Sequence, residues 1–81
     1  MDKTSQETLS KCFNSLKVIH ETIIKMMNNL EQDYDKLPES EQEGETGEQL
    51  GFEVDALDNV DYLLDEVITF MEENLGDRLV H

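Results

Sequence analysis

The chain has 81 residues, of which six are basic and 20 are acidic, so its formal net charge is −14. This charge excludes a nucleic-acid binder that works by neutralising phosphates, and it argues against binding to anionic membrane surfaces. A chain of this length buries only about 60–65% of its unfolded surface, so we do not expect an enzyme. The chain carries no complete metal or cofactor motif, so we expect neither a bound metal nor a cofactor.

The single cysteine, Cys12, excludes an internal disulfide and favours a reducing compartment. No apolar run is long enough for a signal peptide or a membrane span. We therefore expect a cytoplasmic protein.

The first half of the chain carries a heptad seam of nine residues, eight of them apolar or aromatic. Alternating spacings of four and three residues are typical of helices that wind around each other. Thr4-Ser5-Gln6-Glu7 matches a capping box, and Pro38 disfavours helix at the residue before it, so we predict a helix over residues 5–36. The seam residues are Leu9, Phe13, Leu16, His20, Ile23, Met27, Leu30, Tyr34 and Leu37.

A polar and strongly acidic segment follows, and we predict a mobile loop over residues 37–46. Beyond it the same periodicity returns, which predicts a second helix over residues 47–75 and a short tail over residues 76–81. The predicted seam of this helix consists of Leu50, Leu57, Val60, Leu64, Val67 and Met71, with Glu53 and Asn74 as polar exceptions.

The ends of the second helix carry weaker signals. Thr46-Gly47-Glu48-Gln49 offers a capping box, although Gly51 disfavours helix and could move the start towards Phe52. Gly76 is suited to end the helix in a left-handed conformation.

Two helices of similar length predict one all-α domain folded as an antiparallel hairpin. Apolar residues also run beside both seams, and Ile68 and Leu75 widen the stripe on the other flank. Such width requires two neighbouring helices, which favours dimerisation into a four-helix bundle, with a different protein supplying the helices as the alternative. The predicted oligomer interface comprises Cys12, Phe13, Ile19, His20, Met26, Met27, Leu63, Val67, Phe70 and Met71.

The charge is distributed unevenly along the chain. Residues 1–30 hold four basic and three acidic residues, whereas residues 31–81 hold two basic and 17 acidic residues. A row of carboxylates without basic neighbours repels itself, which suggests that it serves a basic partner. The predicted partner-binding residues, expected to point outward from helix two, are Asp58, Asp61, Asp65, Glu66, Glu72 and Glu73.

His20 and Cys12 are the remaining candidates for chemistry. His20 is predicted to be a half-buried polar seam residue that sets register or oligomer state. The Glu-x-x-His motif of di-metal bundles is absent because Lys17 stands where the glutamate would be. Two His20 side chains could meet across a symmetric dimer and make its stability change near about pH 6. Cys12 is predicted to be a buried, inert thiol, and His81 is a poor catalytic candidate.

These features predict a non-enzymatic, homodimeric protein that binds another protein but not nucleic acid or membrane. Its most concrete form is an inhibitor or antitoxin-like regulator, of phage or bacterial type, whose carboxylates occupy a basic, nucleic-acid-binding groove. The alternative is a structural, adaptor or chaperone-like module whose apolar stripe pairs with helices of itself or of another protein, and whose acidic residues only keep it soluble.

Overall fold

A computed structural model describes residues 1–79 of the chain. Helices α1 (Lys3–Lys36), α2 (Glu39–Gln42) and α3 (Glu45–Leu75) follow one another, and a 3₁₀ turn over Gly76–Arg78 closes the described part. Helices α1 and α3 pack side by side in a molecule of 58 × 15 × 13 Å. The all-α, hairpin-like arrangement predicted from the sequence is confirmed.

Helix α1 begins two residues earlier than predicted because Asp2 caps it. The Asp2 carboxylate accepts a hydrogen bond from the backbone N–H of Ser5 at 2.7 Å. This bond stabilises the ionised carboxylate and lowers the pKa of Asp2. The predicted capping box is wrong, since Thr4 lies inside the helix and its carbonyl accepts the Thr8 hydroxyl at 3.0 Å.

The segment between the long helices contains the single helical turn α2. Leu37 is extended, as Pro38 requires of the residue before it, and the chain then turns through α2. The side-chain amide of Gln42 donates to the carbonyls of Tyr34 and Leu37 at 3.1 and 3.2 Å. The segment is therefore anchored to the end of α1 by an amide, although residues 39–44 contain no apolar side chain that could do so.

Helix α3 begins earlier than predicted and without the expected capping box. Its N-cap is Gly44, which makes no side-chain capping bond. A Cβ atom on the buried Gly47 would lie 1.9 Å from the carbonyl oxygen of Gln42, so glycine permits α2 and α3 to approach this closely. Gly51 lies inside the helix rather than before it.

The end of α3 also differs from the expectation. Gly76 has φ −55° and ψ −36°, which is right-handed, and the chain continues into the 3₁₀ turn. The left-handed ending is therefore wrong. Residues 80–81 of the predicted tail, including His81, lie outside the described residues.

The seam of α1 is confirmed, because all nine of its residues are buried or half-buried against the rest of the hairpin. The seam of α3 keeps the spacing of four and three but has a different phase. Val60 and Val67 are 39% and 46% exposed, so they are not seam residues. The seam residues of α3 are Leu50, Val54, Leu57, Asp61, Leu64, Ile68, Met71 and Leu75.

The hairpin buries little apolar surface. Phe13 and Ile68, at 6% and 8% exposure, are the core of the described chain, and no large side chain in it is completely buried. Two helices in contact along one seam leave the remaining faces open to solvent. Within residues 1–79, no helix combines the length and the apolar character that crossing a membrane requires.

Candidate functional site

A polar contact crosses the seam. Nε2 of His20 and Oδ1 of Asp61 are in hydrogen-bond contact, and their side chains are 18% and 28% exposed. Residues 1–79 contain no other salt bridge. The expectation that Asp61 points outward with the partner-binding carboxylates is therefore wrong. His20 is half-buried as predicted, but its partner is Asp61 of the same chain, which compensates for the removal of both polar groups from water.

This contact fixes the register of the antiparallel helices. Because His20 lies opposite Asp61, any residue of α1 can be matched to the residue of α3 at the same height. The following pairs lie at the same height along the helix axes, to within one residue: Cys12 with Phe70, Ser15 with Val67, Ile19 with Leu63, Thr22 with Val60 and Met26 with Ala56.

The two broad sides of the hairpin follow from helix geometry. Each residue of an α-helix is rotated by about 100° from the one before, so residues directly before and directly after the seam residues lie on opposite sides of the seam. Since α1 and α3 run in opposite directions and face each other, the preceding residues of both helices share one side of the hairpin. The following residues share the other side.

The side formed by the preceding residues is called here the uncharged face. Charged residues take such positions only near α2, at Asp33, Lys36 and Glu53. Farther from α2, every residue of this face is apolar or neutral. In α1 these residues are Thr8, Cys12, Ser15, Ile19, Thr22, Met26 and Asn29, and in α3 they are Ala56, Val60, Leu63, Val67, Phe70 and Asn74.

Large apolar side chains on the uncharged face are open to solvent. Ile19 is 47% exposed, Leu63 is 58% exposed and Phe70 is 64% exposed. Cys12 is exposed as well, so the prediction of a buried thiol is wrong for the single chain. It is exposed because it precedes the seam residue Phe13 and lies beside the seam rather than within it.

The ten residues predicted to form an oligomer interface separate into two groups. Four of them lie in the seam of the same hairpin and contact its other helix: Phe13, His20, Met27 and Met71. The other six are exposed on the uncharged face: Cys12, Ile19, Met26, Leu63, Val67 and Phe70.

The opposite side is called here the acidic face. Its carboxylates are Glu21, Glu31, Asp35, Asp55, Asp58, Asp65 and Glu72, and all of them are exposed. Two grooves support this assignment of sides, because each is lined by following residues of both helices. The smaller one, of about 310 Å³, brings Lys17 of α1 and Glu72 of α3 together on one side.

The larger groove, of about 570 Å³, lies near α2 on the acidic face. Its apolar floor includes Leu50 and Val54, and its rim carries Glu31, Asp35, Glu48 and Asp55. None of the sequence patterns above indicated this groove. Gly51, which lines the groove and leaves open space beside α3, was the signal that could have located it.

A third set of residues lies on the outer edges, where each helix points away from the other. The outer edge of α3 carries Glu66 and Glu73, and the outer edge of α1 carries Lys11 and Lys25. A hydrogen bond to Glu66 and the charge of that carboxylate raise the pKa of Tyr62. The six predicted partner-binding carboxylates therefore divide among the acidic face, the outer edge and the seam.

Residues 1–79 contain no group of three or more His, Cys, Asp or Glu side chains placed to hold a metal ion. In comparisons with known proteins, no family model, curated protein or solved structure matches the chain.

Proposed function

We propose that this chain is a non-enzymatic protein that binds the basic surface of another protein through the carboxylates of α3. The observation that supports this proposal is the separation of charge between the two sides of the hairpin. The acidic face lies opposite the uncharged face, and the outer edge of α3, which adjoins both faces, carries two further carboxylates. The carboxylates of α3 at these two places are called here the acidic surface, and they are Asp55, Asp58, Asp65, Glu66, Glu72 and Glu73.

The acidic surface suits recognition of a groove that otherwise receives phosphates. Asp58, Asp65 and Glu72 are seven residues apart along one rigid helix, which places neighbouring members about 10.5 Å apart. None of them has a salt bridge within the described part of the chain, so their charge is available to a partner. An inhibitor or antitoxin-like regulator would use this charge first to steer association and then to occlude the groove, and its binding would weaken with added salt.

The test compares two triple variants with equal loss of charge. Asp58→Asn, Asp65→Asn and Glu72→Gln together neutralise the acidic face of α3. Glu39→Gln, Glu41→Gln and Glu43→Gln together neutralise the segment around α2. We expect the first variant to lose salt-sensitive capture of basic proteins from the source cell, while the second retains it. Equal capture by both variants would contradict the proposal.

We also propose that a second copy covers the uncharged face, giving a four-helix bundle. The exposed apolar side chains and the thin core of the single hairpin support this assembly. The acidic faces of the two copies would then lie on the outside, away from each other. Sedimentation equilibrium should give about twice the 9.4 kDa mass of one chain. A monomer at millimolar concentration would contradict the dimer and favour an adaptor whose missing helices come from a different protein.

A further inference from the structure

We propose that the two copies are related by a twofold axis parallel to the helices, so that α1 of each copy packs on α3 of the other. This inference rests on the proposed dimer and specifies its geometry. A hairpin placed face to face on its copy has two symmetric choices. An axis parallel to the helices brings α1 onto α3, whereas an axis perpendicular to them brings α1 onto α1 and α3 onto α3.

The sizes of the side chains on the uncharged face favour the parallel axis. Rotation about such an axis leaves the height of every residue unchanged, so residues of α1 and α3 that share a height within one hairpin also lie opposite each other across the interface. Phe70 of one copy then lies at the height of Cys12 of the other, and Val67 lies at the height of Ser15. At these two heights a large side chain on one helix meets a small one on the other, which is how close-packed layers interdigitate.

The perpendicular axis gives poorer packing. It would place α3 on α3, so that Leu63, near the middle of the uncharged face, meets Leu63 of the other copy. It would also set the small and polar positions of α1, such as Ser15 and Thr22, against each other. Crowding on one side and voids on the other both destabilise an interface.

The charges on the outer edges favour the same choice. With the parallel axis, the outer edge of α1 adjoins the outer edge of α3 from the other copy. Lys11 then lies within about one helical turn of Glu73 in height. The perpendicular axis would instead bring Lys11 and Lys25 beside the lysines of the other α1, and Glu66 and Glu73 beside the carboxylates of the other α3. Like charges in contact are unfavourable, whereas opposite charges select the arrangement.

A distance between two spin labels tests this geometry. Glu7→Cys in a Cys12→Ser background places one label on the exposed end of α1, outside the uncharged face. With the parallel axis the two labels share a height and are separated only across the bundle, by about 25 Å. With the perpendicular axis they lie near opposite ends of the bundle, about 40 Å apart, because some 24 residues of rise then separate them.

Sedimentation of the labelled protein separates the possible failures. A dimer with the short distance supports the inference. A dimer with the long distance overturns the parallel axis but leaves the four-helix bundle intact. A wild-type chain that is monomeric overturns both proposals, while the binding of a basic partner remains a separate question.

A charge exchange provides a second measurement that needs no label. Lys11→Glu and Glu73→Lys should each weaken dimerisation by about two- to fivefold, as expected for exposed pairs. The double variant should restore the wild-type dissociation constant, because residues 11 and 73 of different copies adjoin each other. Within one hairpin these two positions point in opposite directions, so purely additive effects would contradict the parallel axis.

Discussion

The His20–Asp61 contact leads to a prediction about how the two helices are held together. Asp61→Leu leaves an unpaired imidazole in the seam, and His20→Leu leaves an unpaired carboxylate there. Losing one partner of a fully buried pair costs about 3–5 kcal/mol, whereas exposed pairs contribute about 0.2–1 kcal/mol. Since these side chains are 18% and 28% exposed, an intermediate cost applies.

We expect Asp61→Leu to lower the free energy of unfolding by about 1 kcal/mol, because the partly exposed imidazole can still reach water. His20→Leu should lower it by about 2–3 kcal/mol, because a half-buried carboxylate is harder to desolvate. The double variant should be at least as stable as the wild type, because two leucines fill the seam without an unpaired polar group.

Urea unfolding followed by far-ultraviolet circular dichroism measures all four proteins at one protein concentration, since dimerisation would otherwise change their apparent stability. Asp58→Leu, three residues earlier and exposed, is the control and should change stability by less than about 0.5 kcal/mol. The reasoning is refuted if the effects of the two leucines simply add, because independent effects mean that His20 and Asp61 are not in contact.

Three further predictions concern single positions. Gly51→Ala should stabilise the chain by about 1 kcal/mol because nothing lies within 4 Å of the added Cβ. Gly47→Ala should destabilise it by about 1–3 kcal/mol because the Cβ meets backbone, and thermal unfolding of the two variants should show these opposite shifts. Glu66→Ala should lower the pKa of Tyr62 towards 10.0, because the Glu66 carboxylate accepts a hydrogen bond from Tyr62 and raises that pKa; absorbance of the phenolate measures it. The stability that this hydrogen bond contributes should be present below pH 10.0 and should disappear as pH rises through the raised folded-state pKa. Asp2→Ala should lower the melting temperature at neutral pH, and the difference should vanish as pH falls below 3.8 through the lowered pKa of Asp2, whereas a difference that persists in acid would contradict the cap.

The sequence was sufficient to predict the seam of α1 but not the phase of the seam of α3. Both phases include Leu50, Leu57, Leu64 and Met71, which are seven residues apart, and they differ in the seam residues that lie between these positions and beyond the last of them. One phase uses Val60 and Val67, and the other uses Asp61 and Ile68. An aspartate between helices is unfavourable unless its partner is known, and that partner, His20, is 41 residues away. The local pattern therefore favoured Val60 and Val67 as seam residues, whereas the contact with His20 in the other helix places Asp61 in the seam.

The helix ends show the same limit. Asp2 and Thr4 can both cap a helix, and nothing local distinguishes them. The role of Gly47 depends on the approach of Gln42, which is a contact between α2 and α3 rather than a property of either segment.

The candidate surfaces were partly predictable for a related reason. The exposed carboxylates and flanking apolar residues could be read from the sequence, but their division into opposite sides required the correct phase of α3.

The most direct test of this division is the association state of two neighbouring variants. Tyr62 and Leu63 are adjacent, and their exposures are 61% and 58%, yet they lie on opposite sides of the hairpin. Tyr62→Asp and Leu63→Asp therefore add the same charge at equally accessible positions on the acidic and uncharged faces. Sedimentation equilibrium should give a dimer for Tyr62→Asp and a monomer for Leu63→Asp. The same association state for both variants, or dissociation by Tyr62→Asp alone, would contradict the assignment of the uncharged face as the interface.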